Sequence, residues 1–238
     1  MKIRNLTLAL GAAILIGTLS SCNGNGPDNP TVFYTDIVTV TSLRENGAVF
    51  TLREKEDSEL ITLTTTQSVP AVDFVEGDRV VLVYTPASGE HYVSDNVVVS
   101  AASKAFGEGK PTATLPLEKI KASVSAPVQM WNIARNGEYL DVIFQCWTSP
   151  MVINCQLVAS AESLDDEYPE LYLLFDPILE SNQNNYAFYM SYSMANIFQR
   201  ENCKGVKVYY SNDEIFPFTK VVQVEKSSMS TKPSLPTE

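Results

Sequence analysis

Residues 139–147 read YLDVIFQCW, and their order decides the kind of protein this is. Leu140, Val142, Phe144 and Cys146 fall at every second position and are all apolar, the period of a β-strand with one face on a core. The alternate set, Tyr139, Asp141, Ile143, Gln145 and Trp147, is mixed and predicts a partly wet face. Outward from this strand the same period predicts further strands over 128–134, 152–160, 170–175, 186–193, 205–210 and 219–225, preceded by a short helix over 117–123. Seven strands at this spacing predict an immunoglobulin-like β-sandwich over 112–226. Within 186–193, Tyr186, Phe188, Met190 and Tyr192 share one face, which assigns them to the core, with Tyr189 opposite.

The first half keeps the same period. Strands are predicted over 32–43, 48–53, 60–65, 79–84 and 91–100, separated by Glu45-Asn46-Gly47, a charged run over 54–59, Glu76-Gly77-Asp78 and Pro86-Ala87-Ser88-Gly89. Five short strands in so few residues predict a five-stranded OB-like barrel over 32–100. In FVEGDRVVLVY (74–84), Val81 and Val83 are expected to point into that barrel. The chain is therefore read as all-β, barrel first and sandwich second. Residues 101–111, AASKAFGEGKP, read as a linker, and the polar stretch 227–238 as a disordered tail.

Lys2 and Arg4 precede an apolar run over 6–19, the layout of a secretory signal. A spanning helix needs roughly 20 consecutive apolar residues, which this run lacks. It ends in Leu19-Ser20-Ser21-Cys22, which resembles the bacterial lipoprotein lipobox. That resemblance implies removal of a signal peptide, 1–21, and acylation of Cys22 with diacylglycerol and a further chain such as palmitate. Each buried methylene contributes about 0.8 kcal/mol, so several chains hold a folded body to a bilayer. Residues 22–31 contain nothing to bury and read as a flexible tether. The expected location is the bacterial outer membrane. Only Asp28 is acidic in the tether, which leaves the periplasmic and surface faces both open.

Removing residues 1–21 from 238 leaves 217, enough for two domains, and the loss of Lys2 and Arg4 takes the net charge from −11 to −13. So acidic a body is repelled by phosphate backbones, which excludes nucleic acid as an expected partner. With 45% hydrophobic residues the chain has ample material for cores.

Three features together resemble the NigD-like lipoproteins, a family named for a bacteriocin-associated operon: the lipobox, the acidic five-strand barrel, and the stretches NGEYLDVIF (136–144) and NNYAFYMSYSMANI (184–197). The resemblance covers nearly the whole mature chain. It implies an N-terminal OB-type domain, a C-terminal β-sandwich and no established biochemical activity. Family members often carry His beside the sandwich hairpin and near the following strand; this chain has Met151 and Asp176 in those neighbourhoods, so no role resting on such His transfers to it.

Chemistry is sparse. A zinc site or a Ser-His-Asp arrangement has to use the single histidine, His91, which is placed at a strand start, and neither G-x-S-x-G nor H-E-x-x-H occurs. Glu162, Asp165, Asp166 and Glu167 lack the order of a calcium loop and read, like Asp141, as solvated carboxylates. No cofactor is implied. If a hairpin turns on Pro150-Met151, Cys146 and Cys155 face each other on one apolar side, a pair of buried free thiols. Cys203, in the polar run 201–205, is expected to be exposed. Trp147 is the aromatic residue best placed to face a ligand, ahead of Trp131.

Three function classes follow. The first is a non-enzymatic, outer-membrane-anchored lipoprotein that docks an envelope protein. The second is a glycan-binding lipoprotein using Trp147, and the third a carboxylate-based hydrolase. They rank in that order, because a fold by itself carries no function.

Overall fold

The structure, a computed structural model, describes residues 32–54, 58–69, 73–148, 154–177, 184–212 and 217–226. Signal, Cys22, tether, Met151, the Pro150-Met151 turn and the tail lie outside these residues. No helix among the described residues is long and apolar enough to cross a membrane.

Strands β1 (Tyr34–Arg44), β2 (Gly47–Leu52), β3 (Ile61–Thr65), β4 (Arg79–Pro86) and β5 (Asp95–Lys104) close into a barrel in the order β1-β2-β3-β5-β4. The one parallel contact in it, β3 with β5, follows from the long crossover through β4, and the order is that of an OB barrel. Val38, Val40, Phe50, Leu63, Val80, Leu82 and Tyr84 fill it. The inward set of β4 is therefore Val80, Leu82 and Tyr84, one residue out of phase with the expected Val81 and Val83. The cause is visible in β4, where Arg79, Val80, Val81 and Leu82 are all buried. A strand covered on both faces loses the alternation from which phase is read.

The second half begins with β6 (Ala113–Leu115) and helix α1 (Leu117–Lys121), followed by β7 (Gln129–Asn136), β8 (Tyr139–Thr148), β9 (Asn154–Ser160), β10 (Glu170–Asp176) and β11 (Asn184–Ser193). A one-turn helix α2 (Ala195–Phe198), β12 (Gly205–Tyr210) and β13 (Lys220–Glu225) complete it. A three-stranded sheet, β11-β8-β7, packs on a five-stranded sheet, β13-β12-β10-β9-β6. Two pairings in the larger sheet, β6 with β9 and β10 with β12, are parallel. The core holds Leu140, Val142, Phe144 and Cys146 from β8 and Tyr186, Phe188, Met190 and Tyr192 from β11, as their alternation predicts. Phe144, Phe175 and Phe188 meet across it with ring centroids 5.1 to 5.6 Å apart. Helix α1 covers the far side of the larger sheet, seating Ile120 against Val158, Tyr172 and Leu174.

The barrel sits on the outer face of the three-stranded sheet. Ile37, Val81 and Ala105 pack against Ala187, Tyr189 and Ile143, so the side of YLDVIFQCW expected to be partly wet meets the barrel along its middle: Asp141 is buried, Tyr139, Ile143 and Gln145 are half-buried, and Trp147 is exposed. Residues 101–104 belong to β5, and 105–112 run beside β11: Phe106 N–H donates to Tyr189 O at 2.9 Å, Ser191 N–H to Phe106 O at 2.8 Å and Gly109 N–H to Ser191 O at 2.9 Å. Gly107 is needed there, since its φ is +81° and a Cβ would lie 2.6 Å from the Tyr192 ring.

Candidate functional site

Strand β8 carries the candidate residues to one end of the sandwich. Cys146 points inward and is 6% exposed, whereas Trp147, next along, points outward and is 64% exposed. Around them opens a cleft of about 700 Å³, bordered by the start of β7, the end of β8, Asn185 of β11 and the ends of β10 and β12. Val128, Cys146 and Phe175 line its apolar part, while Gln129, Gln145, Asn185, Asn212 and Tyr210 line its polar part. No charged side chain is among the described lining residues. Trp131, 39% exposed, is not part of it.

The expected pairing of Cys146 with Cys155 is corrected by the topology. Cys146 pairs with Tyr186 in one sheet and Cys155 with Phe175 in the other. A short connection between two strands either folds them side by side or carries the chain from one layer to the other, and residue arithmetic assumes the first. Both thiols are free and enter the same core from opposite sheets, where Cys155 Sγ donates to Met190 Sδ at 3.3 Å. Burial pushes the Cys146 thiol up to about 12 and the Cys155 thiol well above the usual range. Thiols held neutral in this way are packing elements and poor nucleophiles. Cys203, expected to be exposed, is 4% exposed and donates to Gly205 O at 3.2 Å.

The other residues fall elsewhere. His91 lies in the turn after β4, ahead of β5, and its ring is stacked between Tyr34, at 4.1 Å, and Tyr92, at 3.6 Å. Its Nε2 is 2.8 Å from Asp36 Oδ2, which also accepts the Tyr84 hydroxyl at 2.8 Å. Burial and then Asp36 push the Tyr92 phenol up to about 12, and the same two causes raise Tyr84 further. The arrangement joins the barrel core through Tyr84 and through Tyr34, which packs against that core. Glu162 accepts from Leu117 N–H and Ser160 Oγ, both at 2.9 Å, which holds its carboxyl below the usual range. Asp165 pairs with Arg200 and Glu167 with Lys204. Among the described residues, no group of three or more His, Cys, Asp or Glu converges on a metal position.

Asp141 is the largest departure. Expected on a mixed, solvated face, it is 7% exposed and receives Arg79 Nη2 at 2.6 Å, Ser191 Oγ at 2.6 Å and Asn136 Nδ2 at 3.2 Å. Arg79 comes from the barrel and is 1% exposed. Nothing in the local pattern of either strand signals this pair, because the partners are 62 residues apart.

No protein-family model matches the chain, and no curated protein matches it. Solved structures do. A Bacteroides vulgatus protein of unknown function, DUF1344, is 18% identical, aligns over 86% of this chain and 95% of its own, and superposes with a TM-score of 0.58. A NigD-like immunity protein from Bacteroides caccae is 18% identical over 82% of this chain and 93% of its own, with a TM-score of 0.55. The chain has the NigD-like fold. A Bacteroides fragilis protein named as a candidate lipoprotein is 11% identical over 84% of this chain and the whole of its own, at 0.56. The NigD-like fold thus covers barrel and sandwich together. At these identities the likeness is one of fold and carries no residue roles.

Proposed function

We propose that the protein is an outer-membrane lipoprotein anchored through Cys22, and that its NigD-like body is a non-catalytic binding module whose ligand surface is the sandwich end around Trp147. The observation that carries this reading is an exposed indole beside a cleft with no charged side chain among its described lining residues, where most of the other described aromatic groups of the body are buried or stacked. The lipobox and the candidate lipoprotein with the same fold support the anchor. Burial raises the thiol of Cys146, which lines the cleft, and that of Cys155 behind it, so neither is a ready nucleophile toward a ligand held there.

The test compares Trp147 in two settings, in a Trp131→Phe background that leaves it the sole indole. Acrylamide quenching is expected to be strong in the purified protein and weak in its native envelope. Equal quenching in both settings overturns the binding surface. Cys22→Ala is expected to abolish fatty-acid labelling and membrane retention, and unchanged labelling overturns the anchor.

A further inference from the structure

The register of the three-stranded sheet gathers a particular set of side chains on one face. Gln129 faces Gln145 across β7 and β8, and Asn185 faces Trp147 across β11 and β8. Antiparallel partners share a face, as do residues two apart on a strand, so Gln129, Gln145, Trp147 and Asn185 lie on the same side. It is the side on which the barrel sits. The barrel covers Ile143, Tyr189 and Ala187; in the row of Ala187, Gln145 is half-buried and Gln129 exposed, and in the row beyond, Trp147 and Asn185 are exposed. One flat aromatic ring and two primary amides are therefore left open at the sheet's end, with a third amide half-buried among them.

We infer that this end of the sheet, with Trp147 as its platform, binds a neutral oligosaccharide. The inference rests on the reading of the cleft as the ligand surface. A pyranose presents an apolar face of C–H groups and a rim of hydroxyls, each hydroxyl both donor and acceptor. The indole covers such an apolar face. Primary amides match the rim, because each carries two donors and an acceptor oxygen. Charge points the same way. Charged residues make up 19% of the chain, yet none is found among the thirteen described lining residues. A uronate or a phosphate calls for Arg or Lys and a basic peptide for carboxylates, and the described lining residues offer an ionic partner to none of them. Its volume, about 700 Å³, is that of a small-molecule site and accommodates a few sugar units.

The experiment uses the full-length lipoprotein in phosphatidylcholine vesicles, again with Trp131→Phe. Neutral gluco-, manno- and xylo-oligosaccharides and, as counter-probe, oligogalacturonate are titrated against indole emission and by calorimetry. At least one neutral oligosaccharide is expected to bind with a shift in Trp147 emission, and oligogalacturonate is expected not to bind. Trp147→Ala should weaken calorimetric binding by about tenfold or more and Asn185→Ala by about fivefold, with the thermal transition of both variants retained. Binding that survives Trp147→Ala, or preference for the acidic sugar, overturns the inference. If no neutral oligosaccharide binds while Trp147 remains protected in the envelope, the ligand class falls and the binding surface stands. If Trp147 is unprotected as well, both fall.

Discussion

Arg79 divides its donors between the two domains. Nη1 donates to Thr39 Oγ1 within the barrel at 2.9 Å, Nε to Ser191 Oγ at 3.0 Å and Nη2 to Asp141 at 2.6 Å, and the guanidinium lies 4.7 Å from the centre of the Tyr139 ring. Such a pair in a dry interface is costly to break from one side, because the survivor is a buried unpaired charge. Arg79→Met is expected to destabilise the protein by about 3–5 kcal/mol in urea unfolding. Arg79→Met with Asp141→Leu should restore most of that loss, and a double variant as unstable as the single one would show that the pair is not coupled. The cysteines give a second residue-scale prediction. With Cys146, Cys155 and Cys203 free and buried, thiol reagents should label none of them readily in the folded protein and all three after unfolding without reductant. Fast labelling of Cys203 in the native state would restore the exposed position expected from its polar neighbours.

At the scale of elements, residues 105–112 show how composition misleads. Two glycines, a proline and mixed charges describe a linker, but here the glycines permit contact. Gly107 lies against Tyr192 and Ser191, so Gly107→Ala must shift an aromatic ring in the core as well as hold a left-handed backbone. The expected loss is about 2–4 kcal/mol. Gly137, with φ +63° and nothing near its would-be Cβ, isolates the backbone part, and Gly137→Ala should cost only about 1 kcal/mol. Equal losses at the two positions would mean that 105–112 is not packed against β11. The phase of β4 belongs to this scale too. Alternation is legible where one face is wet, as in β2 with its buried-and-intermediate pattern from Ala48 to Leu52, and it disappears where the barrel meets the sandwich.

For the whole molecule, the interface of Ile37, Val81 and Ala105 with Ile143, Ala187 and Tyr189 joins two cores that are otherwise separate. Heating the intact body is expected to give one calorimetric transition, with 112–226 alone less stable than it is within the chain. Two well-separated transitions would show that the interface carries little energy. Base is expected to destabilise the protein. The Cys146 thiol ionises at 9.0 when unfolded and near 12 when folded, so the folded state holds more protons between those values and stability falls as pH rises through them. Tyr92, raised from 10.0 to about 12, acts in the same direction and window. A urea midpoint that stays flat from pH 8 to 11 would contradict the burial of these groups.

What the amino-acid order determined by itself was local: the all-β class, the five barrel strands, the apolar faces of β8 and β11, and Trp147 as an exposed aromatic. Each follows from a period of two or from a turn signal a few residues long, and such signals need no knowledge of distant neighbours. Tertiary structure alone decided which layer each strand joins. It placed Cys146 and Cys155 in opposite sheets, turned Val81 toward the sandwich, made 105–112 a packed segment and buried Asp141 against Arg79. It also decided where the barrel ends on the sheet, and so left Gln129, Asn185 and Trp147 exposed with Gln145 half-buried among them. These are contacts between residues far apart in the chain, and a strand's own pattern records only that a face is covered, never by what.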